Sequence, residues 1–133
     1  MSTCVFCQIA ANLLPSIRIH ETESLICLLP LEMEVKGHTL VVTKQHYADL
    51  REIPPVLGAE IFAVIQKMAR HYAKALGATG FNILNANDAS AQQSVPHLHF
   101  HYIPRVAGDG VDSWPRFPQY DGDKAALAKL LQF

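Results

Sequence analysis

The sequence has no excess of charge and no long hydrophobic run, and these absences exclude several classes of protein. Its 133 residues contain 11 Lys and Arg against 12 Asp and Glu, a formal net charge of −1. Proteins that coat nucleic acid or lie on membranes normally carry a basic excess, so we expect neither partner. No stretch approaches the about 18 uninterrupted apolar residues that cross a membrane, and the first residues lack a secretory signal pattern. We therefore expect a cytoplasmic protein.

Cysteine is scarce, and its number is odd. Three cysteines argue against a disulfide framework. Cys27 lies in an apolar run and is interpreted as a small buried hydrophobe. Cys4 and Cys7 form a Cys-x-x-Cys pair, for which redox activity, metal binding and two free thiols all remain open. A redox pair of this kind normally follows a strand and opens the helix of a βαβ unit, a pattern that this sequence does not offer.

Hydrophobic periodicity predicts one α+β domain over residues 1–133. Half of the residues are apolar and 17% are charged, which excludes intrinsic disorder. A chain of this length buries about two thirds of its surface, enough for a core without disulfides. Apolar residues at steps of three and four predict a long helix over 54–76. We also predict a short helix within the first twelve residues, a surface segment over 104–120, a final helix over 121–131, and mostly antiparallel strands over 16–20, 24–29, 39–43, 81–85 and 97–103.

Seven histidines are many for this length, and three of them alternate with apolar residues in the last predicted strand. Because successive side chains of a strand point to opposite faces, His97, His99 and His101 are predicted to share one face at intervals of ~6.6 Å. Gln93 and Ser94 come just before them and supply amide and hydroxyl donors suited to an anionic centre. Neutral imidazole is a nucleophile near pH 7 and also a metal ligand. The residues alone therefore leave a histidine nucleophile acting on a phosphate and a histidine metal site as alternatives.

Four segments together resemble the histidine-triad (HIT) family. Residues 93–103 match its His-x-His-x-His signature, and residues 4–9, 37–46 and 80–84 match further blocks in the same order and spacing. The resemblance covers about residues 4–105, leaves a C-terminal tail over 106–133, and is to bacterial members of the Hint and diadenosine-polyphosphate hydrolase branches. It implies a HIT-like fold, with a five-stranded antiparallel sheet, a long helix and short N-terminal and C-terminal helices. It also implies a homodimer.

The resemblance implies a nucleotide hydrolase or nucleotidyl transferase. Its middle histidine, here His99, would attack the α-phosphorus of a phosphoramidate, ester or anhydride, and water would then resolve the nucleotidyl-histidine. His101 would contact the phosphate, Gln93 and Ser94 would hold the phosphate or the leaving-group atom, and His97 would support them. The alternatives are a nucleotide- or metal-binding homodimer with vestigial turnover and a metal-dependent oxygenase or hydrolase that uses the histidines as ligands.

The family's nucleoside contacts are matched only in part. Its base pocket is apolar, and the matching residues are Phe6, Ile9, Leu28 and Leu31. Pro30 occupies the position where the family usually has an Asp or Asn for the ribose hydroxyls, and Ala86 replaces a second polar contact. Asn85 and Asn87 flank Ala86 and are the expected substitutes.

The resemblance also implies a structural Zn²⁺ site formed by Cys4, Cys7, His46 and His97. Two cysteines at this spacing take two tetrahedral corners of one ion, and two imidazoles close the shell. With no open coordination position, the ion would anchor the N-terminal segment beside the active strand.

A last expectation concerns residues 106–120, which contain Trp114 and would influence substrate choice from across the dimer.

Overall fold

The computed structural model describes residues 3–133, which form a five-stranded antiparallel sheet and three helices. The sheet order is β1-β2-β3-β5-β4, and every neighbouring pair is antiparallel. The predicted α+β fold is confirmed, including the long central helix and the short helix at each end. Its elements are β1 (Ile17–Glu21), β2 (Leu25–Leu29), β3 (Thr39–Thr43), β4 (Gly80–Leu84), β5 (His99–Arg105), α1 (Val5–Ala10), α2 (Pro55–Leu76), α3 (Lys124–Leu131) and single 3₁₀ turns over Leu50–Glu52 and Ala89–Ala91.

Alternation along the central strands divides the hydrophobic core into two parts. Cys27 of β2 and Phe100 of β5 pack with the buried face of α2. Ile26 and Leu28, which neighbour Cys27 in the chain, pack with Phe6 of α1 on the other side. Successive strand side chains point to opposite faces, so the sheet separates an α2 side from an α1 side.

Helix α2 follows the predicted pattern. Pro55 occupies its first turn, where a missing N–H costs nothing, and Gly77 ends it with a φ of 67°. The Tyr72 hydroxyl lies 2.7 Å from Thr39 Oγ1, which ties the last turns of the helix to β3. In the part of the chain that the structure describes, neither α2 nor any other helix has the length and apolar character to cross a membrane. The buried residues of α2 are Leu57, Ile61, Val64, Ile65, Met68 and Tyr72.

The last strand begins later than the sequence predicts. The prediction that this strand starts at His97 is wrong, because β5 starts at His99, although the Phe6 ring contacts both His97 and His99. Pro96 has no N–H to donate, and the His97 amide donates to the Val95 carbonyl over 2.8 Å, so the chain turns before the strand. His97 is nevertheless completely buried.

The C-terminal tail contributes little to the core. No side chain of α3 is buried, and Trp114 and Phe117 are 79% and 70% exposed. The final helix begins at Lys124, because Asp123 caps it by accepting a hydrogen bond from the Ala126 amide.

Candidate active site and metal centre

His99 begins β5 and is held in one tautomer. Its Nδ1 lies 2.8 Å from the His97 carbonyl oxygen. A carbonyl only accepts, so Nδ1 carries the proton and Nε2 keeps a free lone pair. Burial lowers the pKa of His99, and the hydrogen bond to the His97 carbonyl only partly opposes this. At neutral pH the side chain is therefore a neutral imidazole with a defined nucleophilic nitrogen.

His101 lies beside His99 and is paired with a further histidine. The ring centroids of His99 and His101 are 5.1 Å apart, and His101 Nδ1 lies 2.9 Å from His38 Nε2. Burial, together with the neighbouring His99 and His38, lowers the pKa of His101 to about 4. The pKa of His38 is lowered by burial, an effect that the charge of Glu34 opposes. One proton lies between His101 Nδ1 and His38 Nε2. The ring that donates it has a lone pair on its other nitrogen, and the ring that accepts it carries its own proton on its other nitrogen.

Two cysteines and two histidines converge at the N-terminal end of α1. His97 Nδ1 lies 3.3 Å from Cys4 Sγ, 3.5 Å from Cys7 Sγ and 3.2 Å from His46 Nδ1. Cys7 Sγ lies 3.3 Å from His46 Nδ1, and all four donor atoms are within 4.8 Å of one another. Four donors around one zinc ion, with bond lengths of about 2.0 Å to nitrogen and 2.3 Å to sulfur, lie about 3.3–3.8 Å apart. The donor set thus fits one tetrahedral ion.

The second nitrogen of His97 supports this arrangement. Its Nε2 donates to the Thr43 carbonyl oxygen over 2.7 Å, which leaves Nδ1 with the lone pair that faces the two thiols. A backbone carbonyl that fixes the ring in this way is the usual support of a metal-ligating histidine. His97 thus links β3 to the cluster, while its own carbonyl orients His99.

Gln93 and Ser94 occupy different environments. The Gln93 carboxamide is used at both ends, because Oε1 accepts from the Asp88 amide over 3.0 Å and Nε2 donates to the Ala48 carbonyl over 2.7 Å. Ser94 is exposed, and its hydroxyl has no hydrogen-bond partner among residues 3–133. Ser94 therefore offers a hydroxyl without a partner among the described residues, and Gln93 keeps the second N–H of its Nε2.

The loop before Gln93 has a strained backbone and is held by side-chain contacts. Asp88 has φ 80° and ψ 162°, a conformation that is essentially restricted to glycine. Its carboxylate accepts from the Ala89 amide and from Arg51, and both contacts lower its pKa. Arg51 also forms a paired contact with the buried Asp49. These residues, with Gln93, line a cavity of about 590 Å³.

Comparison with known families assigns the chain. The model of the HIT domain matches residues 12–108, which include the histidines, Gln93 and Ser94. The chain belongs to the HIT family. The predicted family membership is thereby confirmed.

Relatives and solved HIT structures extend over most of the chain. Adenosine 5'-monophosphoramidase hnt1 of Schizosaccharomyces pombe is 34% identical over 119 residues, 87% of this chain and 86% of its own. SMU.412c of Streptococcus mutans UA159 is 40% identical, with a TM-score of 0.84 over 98% of this chain and 82% of its own. A Zn-bound histidine triad family protein from Mycobacterium smegmatis is 37% identical, with a TM-score of 0.79 over 96% and 95%.

The residues predicted for the base pocket do not all lie together in this HIT chain. Phe6, Ile9 and Leu28 are buried in the α1-side core, and the Phe6 ring lies edge-on to His99 at 5.0 Å. Leu31 is fully exposed in the loop after β2, where Pro30 also lies. The structure thus places three of the four apolar residues in one cluster, of which Phe6 contacts the His99 ring.

Asn85 and Asn87 bind the protein itself. Asn85 Nδ2 donates to the His99 carbonyl over 3.0 Å, and its Oδ1 accepts from Asn87 Nδ2. Asn87 Oδ1 in turn accepts from the Leu50 amide over 2.8 Å. The two amides connect the main chain of His99 to the turn over Leu50–Glu52.

His38, Arg51 and Asp88 are site residues that the sequence patterns did not predict. His38 stood in a recognised family block, and the excess of histidine was a signal for it. Arg51 and Asp88 had no such signal, because the two residues are 37 positions apart in the chain. The strained backbone conformation of Asp88 is also one that aspartate rarely adopts, so the residue type does not indicate it.

Proposed function

We propose that this HIT protein is a nucleotide hydrolase that cleaves a phosphoramidate, ester or anhydride bond at the α-phosphate through a nucleotidyl-histidine intermediate. The observation that carries the proposal is His99, a buried neutral imidazole whose Nδ1–H is donated to the His97 carbonyl and whose Nε2 has no hydrogen-bond partner among residues 3–133. The Schizosaccharomyces pombe relative is named an adenosine monophosphoramidase, which supports nucleotide chemistry.

The reaction divides into two displacements at phosphorus. The lone pair of His99 Nε2 forms a bond to the α-phosphorus while the bond to the leaving nitrogen or oxygen breaks and that atom takes up a proton. Water then attacks the same phosphorus and gives up a proton, which replaces the one taken by the leaving atom, while the bond to Nε2 breaks and the nucleoside monophosphate leaves. A covalent step of this kind replaces one slow displacement by two faster ones.

His101 and Ser94 are assigned to the negative charge that develops on the phosphate and on the leaving-group atom. If His38 Nε2 donates to His101 Nδ1, the proton of His101 lies on Nε2, where it can be donated to a phosphate oxygen. The unpartnered hydroxyl of Ser94 is assigned to the leaving-group atom, and Gln93 positions the turn that carries it. His97 acts through its carbonyl, which sets the tautomer of His99.

Turnover tests this assignment. Adenosine and guanosine 5'-phosphoramidates and dinucleoside polyphosphates are supplied to the wild type and to His99→Asn, which has a similar polar side chain without the nucleophilic ring. We expect kcat to fall at least about 10³-fold in the variant, with nucleotide binding retained. A variant with wild-type turnover would contradict the covalent mechanism. Binding without turnover in the wild type would favour the alternative, a homodimeric binding protein with vestigial activity.

Nucleoside recognition is proposed to rest on few polar contacts. Pro30 offers no side-chain hydrogen bond at the usual ribose position, and Asn85 and Asn87 are engaged with the main chain. Base contact is assigned to Phe6, Ile9 and Leu28, with the exposed Leu31 as a further apolar surface. We therefore expect little discrimination between ribonucleotides and 2'-deoxyribonucleotides.

A structural Zn²⁺ is proposed at Cys4, Cys7, His46 and His97. The support is the spacing of the four donors and the support of His97 by Thr43, together with the zinc in the Mycobacterium smegmatis structure. Four protein ligands leave no open position, so the ion would stabilise the attachment of α1 to the triad segment rather than act on the substrate.

A homodimer is proposed through β4 and one flank of α2. Among the described strands, β4 pairs only with β5, which leaves one edge available, and exposed edges are usually covered. Phe62, Leu76 and Phe81 are exposed nearby, at 62%, 37% and 45%.

The exposed aromatics of residues 106–120 are proposed to reach the partner's site. Removing residues after Gly108 should therefore change the ranking of substrates, and an unchanged ranking in a folded truncation would contradict this role.

A further inference from the structure

A second cavity lies on the side of the sheet that faces away from His99 and His101. It has a volume of about 360 Å³ and lies between α2 and strands β1 and β2. Cys27 lines it, whereas the next residue, Leu28, belongs to the α1-side core near His99. The sheet therefore separates this cavity from the proposed nucleotide site. Its volume is within the range of about 300–1,000 Å³ that small-molecule sites occupy.

The floor of the cavity is apolar and uncharged. It is formed by the buried side chains of Cys27, Val64, Met68 and Tyr72. Burial raises the pKa of the Cys27 thiol to about 11, so the thiol stays neutral. The Tyr72 hydroxyl is already hydrogen-bonded to Thr39, which leaves mainly the ring for contact. Such a floor favours the hydrocarbon part of a ligand.

The rim of the cavity has one cationic side chain and two imidazoles. His20, Lys67 and His71 line it and are exposed, and no Asp or Glu among residues 3–133 lines it. His20 reaches the rim because the pairing of β1 with β2 is irregular: Arg18 is opposite Leu28, but His20 is opposite Cys27. The extra residue between them is a β-bulge, a feature that redirects side chains.

We propose that this cavity is a second ligand site that binds a small anion with a hydrocarbon body, namely a medium-chain or aromatic carboxylate. The hydrocarbon would lie on the floor, and the carboxylate would lie at the rim within reach of Lys67, His20 and His71. The site is independent of the proposed nucleotide chemistry and of the proposed dimer. Phe62 and Leu76 lie on the opposite flank of α2 from Val64, Lys67 and His71, as helical spacing requires.

Octanoate is the probe for this site, followed by calorimetry and by amide chemical shifts of the full-length protein. We expect saturable binding of one octanoate per chain, with shifts along α2 around Lys67 and in β2. Octyltrimethylammonium, which has the same chain and the opposite charge, should not bind. Absence of saturable octanoate binding, equal binding of the ammonium compound, or shifts centred on His99 would overturn the proposal.

Exposed variants locate the carboxylate without disturbing the core. Lys67→Gln should weaken octanoate binding about fivefold, the effect of removing one solvent-exposed ion pair. His71→Glu should weaken it at least as much, because it places a like charge at the rim. Lys74→Gln removes the same charge from α2 two turns later, about 10 Å away, and should leave the affinity unchanged. Equal effects of Lys67→Gln and Lys74→Gln would show only a general charge effect and would contradict the site.

Discussion

At the scale of single residues, each histidine near the site has a defined partner, and these partners divide the roles. His97 donates through Nε2 to Thr43 and orients His99 through its carbonyl. His101 is paired with His38. The sequence indicated the importance of the three triad histidines, but the partner of each depends on contacts between distant segments. The His38 contact with His101 spans 63 residues and could not be read from local spacing.

Zinc content tests the assignment of the Cys and His cluster. Purified protein should contain about one zinc per chain, and Cys7→Ser should lose it together with several degrees of melting temperature, because metal binding contributes to folding. Cys27→Ala is the matched control, since this third cysteine lies outside the cluster. Elemental analysis and thermal unfolding measure both effects. Well under one zinc per chain, with no stabilisation on adding zinc, would contradict the assignment.

Acid sensitivity tests the environment of His101. Its pKa is about 4 in the folded protein and about 6.5 in an unfolded chain, so the unfolded state binds more protons between these values. Stability contributed by the neutral ring is present above pH 6.5 and is lost as the pH falls towards 4. Allowing for partial solvent screening, this amounts to about 1–2 kcal/mol. Urea unfolding of His101→Gln should therefore show a shallower loss between pH 6.5 and 4 than the wild type. Equal slopes would contradict this environment.

At the scale of elements, the strands and α2 follow from local pattern, whereas the segments that carry the site follow from tertiary contacts. Periodicity predicted α2 to within one residue of its observed start. It misplaced His97, because alternation takes no account of a turn at Pro96 or of the hydrogen bond from the Leu98 amide to the Tyr47 carbonyl. The positive φ of Asp88 and the bulge beside His20 are likewise consequences of packing that residue types alone do not specify.

The loop over residues 88–93 provides a test of positioning. Gln93→Ala removes two hydrogen bonds to main chain, which should cost about 1–2 kcal/mol of stability and lower kcat about tenfold. If Gln93 acts only through Ser94, the kcat effect should vanish in a Ser94→Ala background, as a double-mutant cycle would show.

A neighbouring glutamine serves as the control for this cycle. Gln92 has a positive φ of 68°, so Gln92→Gly should leave kcat unchanged and keep or raise stability. Additive effects of Gln93→Ala and Ser94→Ala on kcat would instead show that Gln93 contacts the substrate directly.

At the scale of the whole molecule, the sheet has one α2 side that contains most of the core and one α1 side that contains His99 and His101. Sequence resemblance predicted this family fold, and the HIT match confirms it. In the tail after β5, Asp109 and Ser113 are hydrogen-bonded to Arg105, and Ser113 also donates to Asn82, whereas no side chain of α3 is buried.

Sedimentation tests the dimer. At micromolar concentration the wild type should have twice the 14.7 kDa mass of one chain. Phe81→Asp places a charge at the β4 edge and should give a monomer. Val56→Asp is the control, because Val56 is 75% exposed on α2 but away from the flank of Phe62 and Leu76. A wild-type mass of one chain, or equal dissociation by both variants, would contradict the interface.

The most direct test of the central proposal is to observe the intermediate on His99. The wild type is mixed with adenosine 5'-phosphoramidate, quenched within milliseconds in alkaline denaturant, which preserves nucleotidyl-histidine, and analysed by intact and tandem mass spectrometry. We predict a mass increase of one nucleoside monophosphate group, located at His99 and absent from His99→Asn. Continued turnover with no adduct at early times, or an adduct at another residue, would contradict the account.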